Sequence, residues 1–260
     1  KAGTTFTSLS NPEEVLVSSG FLGALIAGFL GGFVILFLKK VFSFMPKSLE
    51  GIRTILIYPV AGILLIGIIM LLINPFVSAI NTGLNNFLSS MSGTNKIILG
   101  AILAGMMSVD LGGPVNKAAY TFGTGMLAEG HYEIMAAVMI GGMVAPLAIA
   151  LLATFFPKKL PKKERQAGLL NYVMGLSFIS EGAIPFASAD PIRVLPSCIV
   201  GSAVSGALSM AFNCTLMAPH GGIFVLPLIG NWFWYVVALA IGSVIAMGIM
   251  AALKKNVWEK

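Results

Sequence analysis

The sequence predicts an all-α integral membrane protein in which transmembrane helices are combined with two inverted re-entrant hairpins. Of its 260 residues, 57% are hydrophobic and only 10% are charged, and the mean hydropathy is +0.93. A soluble domain carries about 25% charged residues, so this chain has more apolar surface than a water-soluble core could bury. The expected solvent is lipid, which about eight segments of the chain cross or enter.

The positive charge of the chain follows the expected membrane topology. The formal net charge is +6, which by itself would allow a nucleic-acid partner. However, the basic residues stand in short runs next to apolar stretches, at Lys39-Lys40, Lys158-Lys159, Lys162-Lys163 and Lys254-Lys255. By the positive-inside rule these runs face the cytoplasm, and no nucleic-acid partner is expected.

Full-length spans are predicted where about 20 apolar residues follow one another. They cover 17–38, 53–74, 133–157, 192–216 and 222–253, and Gly221-Gly222 allow a non-helical start of the last one. With the basic runs inside, residues 1–16 and 75–96 lie outside, the latter as a surface helix or loop. The chain starts at Lys1 rather than Met, which suggests a truncated N-terminus.

Two stretches between these spans must enter and leave the membrane on the same side, because both neighbours of each stretch end on one side. These are 97–130, entered from outside, and 166–190, entered from the cytoplasm. Glycine and proline interrupt both, at Gly112-Gly113-Pro114 and at Gly182 to Pro185. Unpaired backbone at membrane depth is tolerated only where it lines a cavity, and paired, inverted breaks are typical of a transporter's binding site.

Polar residues at the first break are candidates for that site, since charge at membrane depth is costly. Asp110 and Lys117 flank the break, either as ligands or as an ion pair that neutralises the hairpin. Asn116 can donate to and accept from a hydroxyl group without carrying net charge. Gly113 and Pro114 supply the irregular backbone.

The second break contributes Glu181, which follows Ser180. A carboxylate accepts several hydrogen bonds at once, which suits neighbouring hydroxyl groups; the alternative is an ion pair with Lys117 or Arg193. His220 stands in a run of proline and glycine, and is either part of a cavity wall or a structural residue.

Other chemistry is not indicated. Asp190 and Arg193 stand three residues apart and are expected either to pair with each other or to extend their charged ends towards the membrane surface, in both cases outside the site. Cys198 and Cys214 lie in apolar surroundings without metal-ligand spacing, as buried and inert thiols do. The sequence contains no Walker loop and no Gly-x-Ser-x-Gly elbow, so neither a cofactor nor a metal is expected.

Three stretches of the sequence resemble the fructose-type EIIC permeases of the bacterial phosphoenolpyruvate-dependent sugar phosphotransferase system. They run from Asp110 to Gly123, from Gly175 to Ala187 and from Ala218 to Gly222, and the resemblance extends from about Gly20 to Lys255. Related permeases bind sugar hydroxyls through a short signature that ends in glutamate. Its counterpart here is Ile179-Ser180-Glu181.

This resemblance implies a homodimeric permease of the bacterial inner (cytoplasmic) membrane that translocates fructose or a similar sugar. A cytoplasmic EIIB domain, itself supplied by EIIA, would phosphorylate the sugar, so phosphotransferase activity requires those partners. The sugar is expected between the tips of the two hairpins. The expected binding residues are Glu181, Asn116, His220, Ser180, Asp110, Lys117, Gly113 and Pro114.

The expected domain organisation follows the spans and hairpins. Residues 1–16 form an external segment, 17–96 a scaffold for dimerisation with an external loop, 97–255 the substrate-binding unit with hairpins near 97–130 and 166–190, and 256–260 a cytoplasmic tail. Gly28 and Gly32 in the first span allow another helix to approach closely, either within the chain or across a dimer.

Two other functions remain open at this point. In a proton- or sodium-coupled secondary transporter of a small polar solute, Asp110 or Glu181 would carry the ion instead of holding a hydroxyl group. In a channel or structural membrane subunit, the intramembrane glutamate and histidine would be packing features.

Overall fold

The computed structural model describes residues 20–90 and 94–256. The chain divides into two compact units, Lys1–Ser90 and Met91–Lys260. The predicted external segment 1–16 lies outside the described residues, as does the predicted tail apart from Asn256. Among the described residues, five helices are long and apolar enough to cross a membrane. This confirms a helical, multi-pass membrane protein.

The first unit is built on two long helices, α1 (Gly20–Val41) and α3 (Tyr58–Ser90). Between them lie two 3₁₀ turns, the short helix α2 and a π-helical turn, at Phe42–Phe44, Lys47–Leu49, Glu50–Ile52 and Arg53–Ile57. The side chains of Val34, Leu38 and Tyr58 form the buried contact of this unit.

Glycines on both helices lie at the contact between α1 and α3. A Cβ atom on Gly31 would lie 3.4 Å from Ile66 and one on Gly62 would lie 3.4 Å from Ile35, which are ordinary van der Waals distances. Gly28 and Gly32 have no described atom within 4 Å of such a Cβ, so the predicted pair does not mediate a contact within the described residues. Large apolar side chains on the outer faces are exposed, as lipid-facing side chains are.

Helix α3 does not end where the second span was predicted to end. It passes through Pro75 and continues to Ser90, so the predicted surface helix or loop after residue 74 is the second half of one helix. A proline inside a helix removes one hydrogen bond and bends the axis, but a long helix can continue beyond it.

The second unit contains helices α4 to α10 and one short β-hairpin. The helices are α4 (Thr94–Met106), α5 (Pro114–Ala128), α6 (Tyr132–Phe155), α7 (Lys162–Leu176), α8 (Ile184–Ala189), α9 (Pro191–Ala211) and α10 (Trp232–Leu253). The strands β1 (Thr215–Leu216) and β2 (Ile229–Gly230) pair antiparallel.

Helix α6 is the centre of the second unit. It is apolar on all sides, as expected of a helix with no solvent face, and nearly all of its side chains from Ile134 to Ala153 are buried. Small residues allow the surrounding helices to come close. A Cβ on Gly141 would lie 2.5 Å from the Cα of Ala104, and Gly201 faces the carbonyl of Gly242 in the same way.

Both predicted hairpins are helix–break–helix segments. In the first, α4 and α5 are separated by residues 107–113; in the second, α7 is followed by a break at 177–179, a 3₁₀ turn at Ser180–Ala183 and the short helix α8. The predicted glycines Gly112 and Gly113 lie in the first break, whereas the second break falls just before the predicted one, with Gly182 in the 3₁₀ turn and Pro185 at the start of α8. Their entry into the bilayer from opposite faces stays a prediction.

The last two spans are shorter than predicted. Helix α9 ends at Ala211, and α10 begins only at Trp232. The residues between them form the β-hairpin and a 3₁₀ segment, Gly222–Leu228. Positive φ angles stand close to both helix ends, at Asn213 two residues after α9 and at Asn231 immediately before α10, and a right-handed helix cannot continue through that region.

Candidate functional site

The first break is closed by Asp110. Its carboxylate accepts hydrogen bonds from the backbone N–H of Val115 at 2.7 Å and of Asn116 at 2.9 Å. These are among the first N–H groups of α5, which have no partner within the helix. Asp110 thus acts as the cap of α5, and Pro114, at the first helical position, has no N–H that would need one.

Asn116 secures the other side of this break. Its side-chain Nδ2 donates to the carbonyl of Met107 at 2.7 Å, and the residue is buried. The amide therefore satisfies a carbonyl left free where α4 ends, which is costly to leave unpaired in an apolar environment.

The second break turns sharply at Phe178. This residue has φ of 62°, an unusual conformation for a side chain of its size. The backbone N–H of Ile179 then donates to the carbonyl of Met174 at 2.8 Å. The Phe178 ring rests on Gly142 of α6, where any Cβ would collide with it. The glycine in the central helix therefore determines where this aromatic ring can lie.

The two breaks meet at Glu181. A Cβ on Gly112, whose φ is +113°, would come within 2.8 Å of the Glu181 Oε1 atom. The same oxygen lies 3.7 Å from the ammonium nitrogen of Lys117 on α5. Lys117 therefore pairs with Glu181. Asp110, the alternative partner considered from the sequence, instead accepts the backbone hydrogen bonds at the start of α5.

The segment between β1 and β2, which contains Gly222, packs against the second break. Gly222, with φ of +57°, packs directly on the carbonyl of Leu176, so that no side chain fits there. This contact brings the His220 ring to 5.0 Å from the Phe178 ring and 6.4 Å from the Tyr120 ring, measured between centroids. Tyr120 and Phe178 are 6.1 Å apart. We call these three rings the aromatic wall.

The ion pair and the aromatic wall line a partly open cavity of about 130 Å³. This is smaller than the ~300–1,000 Å³ of pockets for drug-sized ligands, which favours a small solute. The residues lining it are Met107, Asn116, Lys117, Tyr120, Phe178, Ser180, Glu181 and His220.

Five of the residues proposed from sequence line this cavity, and three do not. Glu181, Asn116, His220, Ser180 and Lys117 contribute to its wall. The remaining three, Asp110, Gly113 and Pro114, shape the turn into α5 instead.

Sequence reasoning missed Met107, Tyr120 and Phe178. Tyr120 follows Asn116 by four residues and so lies on the same face of α5, a spacing that could have identified it. Phe178 offered no such signal, because an aromatic residue in an apolar stretch normally predicts a buried core position rather than a binding site.

The cavity combines charged hydrogen-bonding groups with aromatic side chains. It presents a carboxylate as acceptor, an ammonium group as donor and aromatic faces for apolar C–H groups. In the described part of the chain, no three His, Cys, Asp or Glu side chains group in a way that could hold a metal ion.

Comparison with known proteins identifies the family of this chain. The family model described as "Phosphotransferase system, EIIC" matches residues 12–201. The chain belongs to the phosphotransferase EIIC family. No solved structure matches it significantly.

Curated relatives of this EIIC chain carry fructose in their names. It is 49% identical over 244 residues to the fructose-specific EIIABC component of Bacillus subtilis, covering 94% of this chain and 38% of that protein. It is equally identical to the fructose permease IIC component of Bacillus amyloliquefaciens, covering 94% and 80%. The fructose-specific EIIC component of Haloferax volcanii is 43% identical, with 92% and 64% covered.

Both cysteines of this EIIC chain are buried. Cys198 and Cys214 have no exposed surface and are free thiols. A phosphoryl carrier needs an accessible thiolate, so neither is suited to that task. The names of several relatives combine B and C components in one protein.

Proposed function

We propose that this chain is the membrane-embedded permease part of a fructose-type phosphotransferase system in the bacterial cytoplasmic membrane. It carries fructose or a similar sugar while a phosphocysteine on an EIIB domain, recharged by EIIA, phosphorylates it. Membership of the EIIC family and the names of the curated relatives support this assignment.

The sugar binds in the cavity where the two breaks meet. The observation that carries this proposal is the Lys117–Glu181 pair, which faces the aromatic wall within one small cavity. Glu181 accepts hydrogen bonds from sugar hydroxyls, Lys117 donates to a neighbouring oxygen, and the aromatic wall covers a C–H face of the ring.

Ser180 and Asn116 are the buried polar residues of the proposed binding site. Both are buried and line the cavity. The Ser180 hydroxyl can donate or accept, and thus adapts to a sugar hydroxyl. The Asn116 side-chain amide already donates to the carbonyl of Met107, so its main contribution is to fix the first break beside the cavity.

Transport follows from exposing this cavity on either side of the membrane. The second unit shifts relative to the scaffold of residues 17–74, which also forms the dimer contact. Phosphorylation then adds charge to the sugar on the cytoplasmic side, and a charged sugar does not return through an apolar barrier. The free energy for accumulation comes from the phosphoryl donor rather than from an ion gradient.

Equilibrium binding of radiolabelled fructose and mannitol to the purified full-length protein tests this proposal. Saturable binding of one sugar is expected, and Glu181→Gln should weaken it at least tenfold, as loss of hydrogen bonds to a charged group does. Glu133→Gln is the matched control. Glu133 forms an ion pair with Lys96, with 3.3 Å between the charged atoms, and neither residue lines the cavity.

Two results would contradict the proposal. Unchanged binding in Glu181→Gln would reduce Glu181 to a structural partner of Lys117. Uptake that depends on a proton or sodium gradient, without sugar binding to the purified protein, would favour an ion-coupled transporter instead.

A further inference from the structure

A second cavity, lined by charged side chains, lies where three helix ends meet. It has a volume of about 340 Å³ and is formed by the turn between α6 and α7, the start of α9 and the end of α10. None of its residues lines the proposed sugar cavity. The charged side chains around it are Lys159, Glu164, Asp190, Arg193, Lys254 and Lys255.

Hydrogen bonds join these three helix ends into one cradle. The Lys159 ammonium group donates to the carbonyl of Lys254 at 2.6 Å, at the end of α10. The Lys254 ammonium group in turn lies 2.9 Å from the Asp190 carboxylate, immediately before α9. Arg193 adds a contact to Asp190 at 3.2 Å. Hydrogen bonds thus hold three of the charged groups around the cavity, Lys159, Lys254 and Asp190.

Positive charge predominates in this cavity. Four basic side chains surround it, against two acidic ones. Asp190 is already occupied by two cations, since Lys254 and Arg193 both contact its carboxylate. The side chain of Arg193 is still 41% exposed, and Lys255 is exposed as well. These two groups are available to an incoming anion.

Large apolar side chains adjoin the basic ones at the same helix ends. Ile192 precedes Arg193 and is 83% exposed, and Leu253 precedes Lys254 and is 48% exposed. On the α6 side, Phe156 is 40% exposed, two residues before the basic run begins. A ligand for this place therefore has an anionic part next to an extended apolar part.

We propose that this cavity binds the phosphodiester headgroup of an anionic phospholipid. Arg193 and Lys255 contact the phosphate oxygens, and the acyl chains lie along Ile192, Leu253 and Phe156. The basic runs at this end were predicted to face the cytoplasm, and basic pockets between helices on that side suit anionic headgroups. An acidic protein surface would use the charges but would leave the apolar side chains uncovered.

Lipid titration of the purified full-length protein in detergent tests this proposal, with bound lipid counted by native mass spectrometry. Dioleoylphosphatidylglycerol should bind more tightly than dioleoylphosphatidylcholine. Lys255→Gln should lower the affinity for the former about fivefold, which corresponds to the loss of one lysine near the anionic surface. Lys255→Arg, which keeps the charge, should retain that affinity.

Lys163→Gln is the matched control, because Lys163 is exposed in the same basic region but does not line the cavity. Equal effects of Lys163→Gln and Lys255→Gln would overturn the proposal in favour of a diffuse surface potential. It would also fail if inorganic phosphate alone displaced the bound lipid completely, or if Lys255→Gln weakened EIIB binding while leaving lipid selectivity unchanged. Sugar binding plays no part in these measurements, so failure of the proposed sugar site leaves them interpretable.

Discussion

The ammonium nitrogen of Lys117 lies 3.7 Å from Oε1 of Glu181 and so connects the two breaks of the second unit. This distance is longer than a hydrogen bond between charged groups, which is usually 2.7–2.9 Å. The side chains are 61% and 48% exposed, so the pair itself contributes little to stability. A sugar hydroxyl can therefore enter between them without first breaking a strong bond.

Lys117→Met should weaken sugar binding about tenfold while leaving the melting temperature within about 2 °C of the wild-type value. The reason is that an exposed ion pair contributes at most about 1 kcal/mol to folding, whereas a charged donor to a bound ligand contributes roughly 1.5–3 kcal/mol. Equilibrium binding and thermal unfolding in detergent measure the two effects. Lys96→Met removes a second lysine–glutamate pair, Lys96–Glu133, and should leave binding unchanged; a similar loss there would argue against a specific role of Lys117.

Tyr120→Phe should bind sugar nearly as well as the wild type, whereas Tyr120→Leu should bind roughly three- to tenfold more weakly. The aromatic face of Tyr120 lies beside Phe178 and His220, and such aromatic contacts contribute about 0.5–1.5 kcal/mol beyond buried area. The comparison of the two variants by equilibrium binding separates the ring from its hydroxyl group. If Tyr120→Phe is as weak as Tyr120→Leu, the hydroxyl rather than the ring is the contact.

Gly222→Ala should lower the melting temperature and abolish sugar binding. Its Cβ would collide with the carbonyl of Leu176, and φ of +57° is unfavourable for alanine. Displacement of this loop moves His220 away from Phe178. Gly248→Ala is the control, because a Cβ at Gly248 on α10 meets no described atom within 4 Å, and an alanine there favours the helix by about 1 kcal/mol. Equal stability of the two variants would exclude the tight contact at Gly222.

Asp190→Asn should destabilise the protein by about 1–3 kcal/mol at neutral pH, with the difference vanishing in acid. Burial alone would raise the pKa of Asp190, but hydrogen bonds and positive charge from Lys254 and Arg193 outweigh it and lower that pKa below its usual value. A lowered pKa stabilises the folded state above the unfolded value near 3.8, and this stability is lost as the pH falls through the folded value. Melting temperatures of both proteins between pH 7 and pH 3 measure this. A difference that stays constant over this range would show that the carboxylate charge is not the cause.

The sequence predicted the sites of the breaks more accurately than the contacts across them. Gly112 lies in the first break, and the second break falls at Ser177 to Ile179, a few residues before the predicted Gly182. A break in an apolar stretch has few physical solutions. The partner of Glu181 was only one of two possibilities, since an ion pair between residues 117 and 181 depends on how α5 and the second break are packed. That packing is determined by Gly142 under the Phe178 ring, a contact between distant parts of the chain.

Helix ends were the other source of error. The last span was predicted to cover 222–253, with a non-helical start allowed at Gly221-Gly222. The structure confirms that start, but the interruption extends through the 3₁₀ segment Gly222–Leu228 to Asn231, so α10 begins only at Trp232. Hydropathy carries no information about backbone conformation, so an apolar 3₁₀ segment is predicted as part of a transmembrane helix. Conversely, the second span was predicted to end before Pro75, but α3 continues through this proline to Ser90.

The length of α3 has a consequence for where this chain emerges from the bilayer. Its 33 residues, at 1.5 Å each, make a rod about 50 Å long, whereas the hydrocarbon layer is about 30 Å thick. Even at a tilt of about 40°, the upper end of the usual range, this rod would cover about 38 Å along the membrane normal. At least two of its turns must therefore stand in the headgroup layer or in water, and the amide and hydroxyl side chains from Asn74 onwards make that half the one suited to leave the lipid.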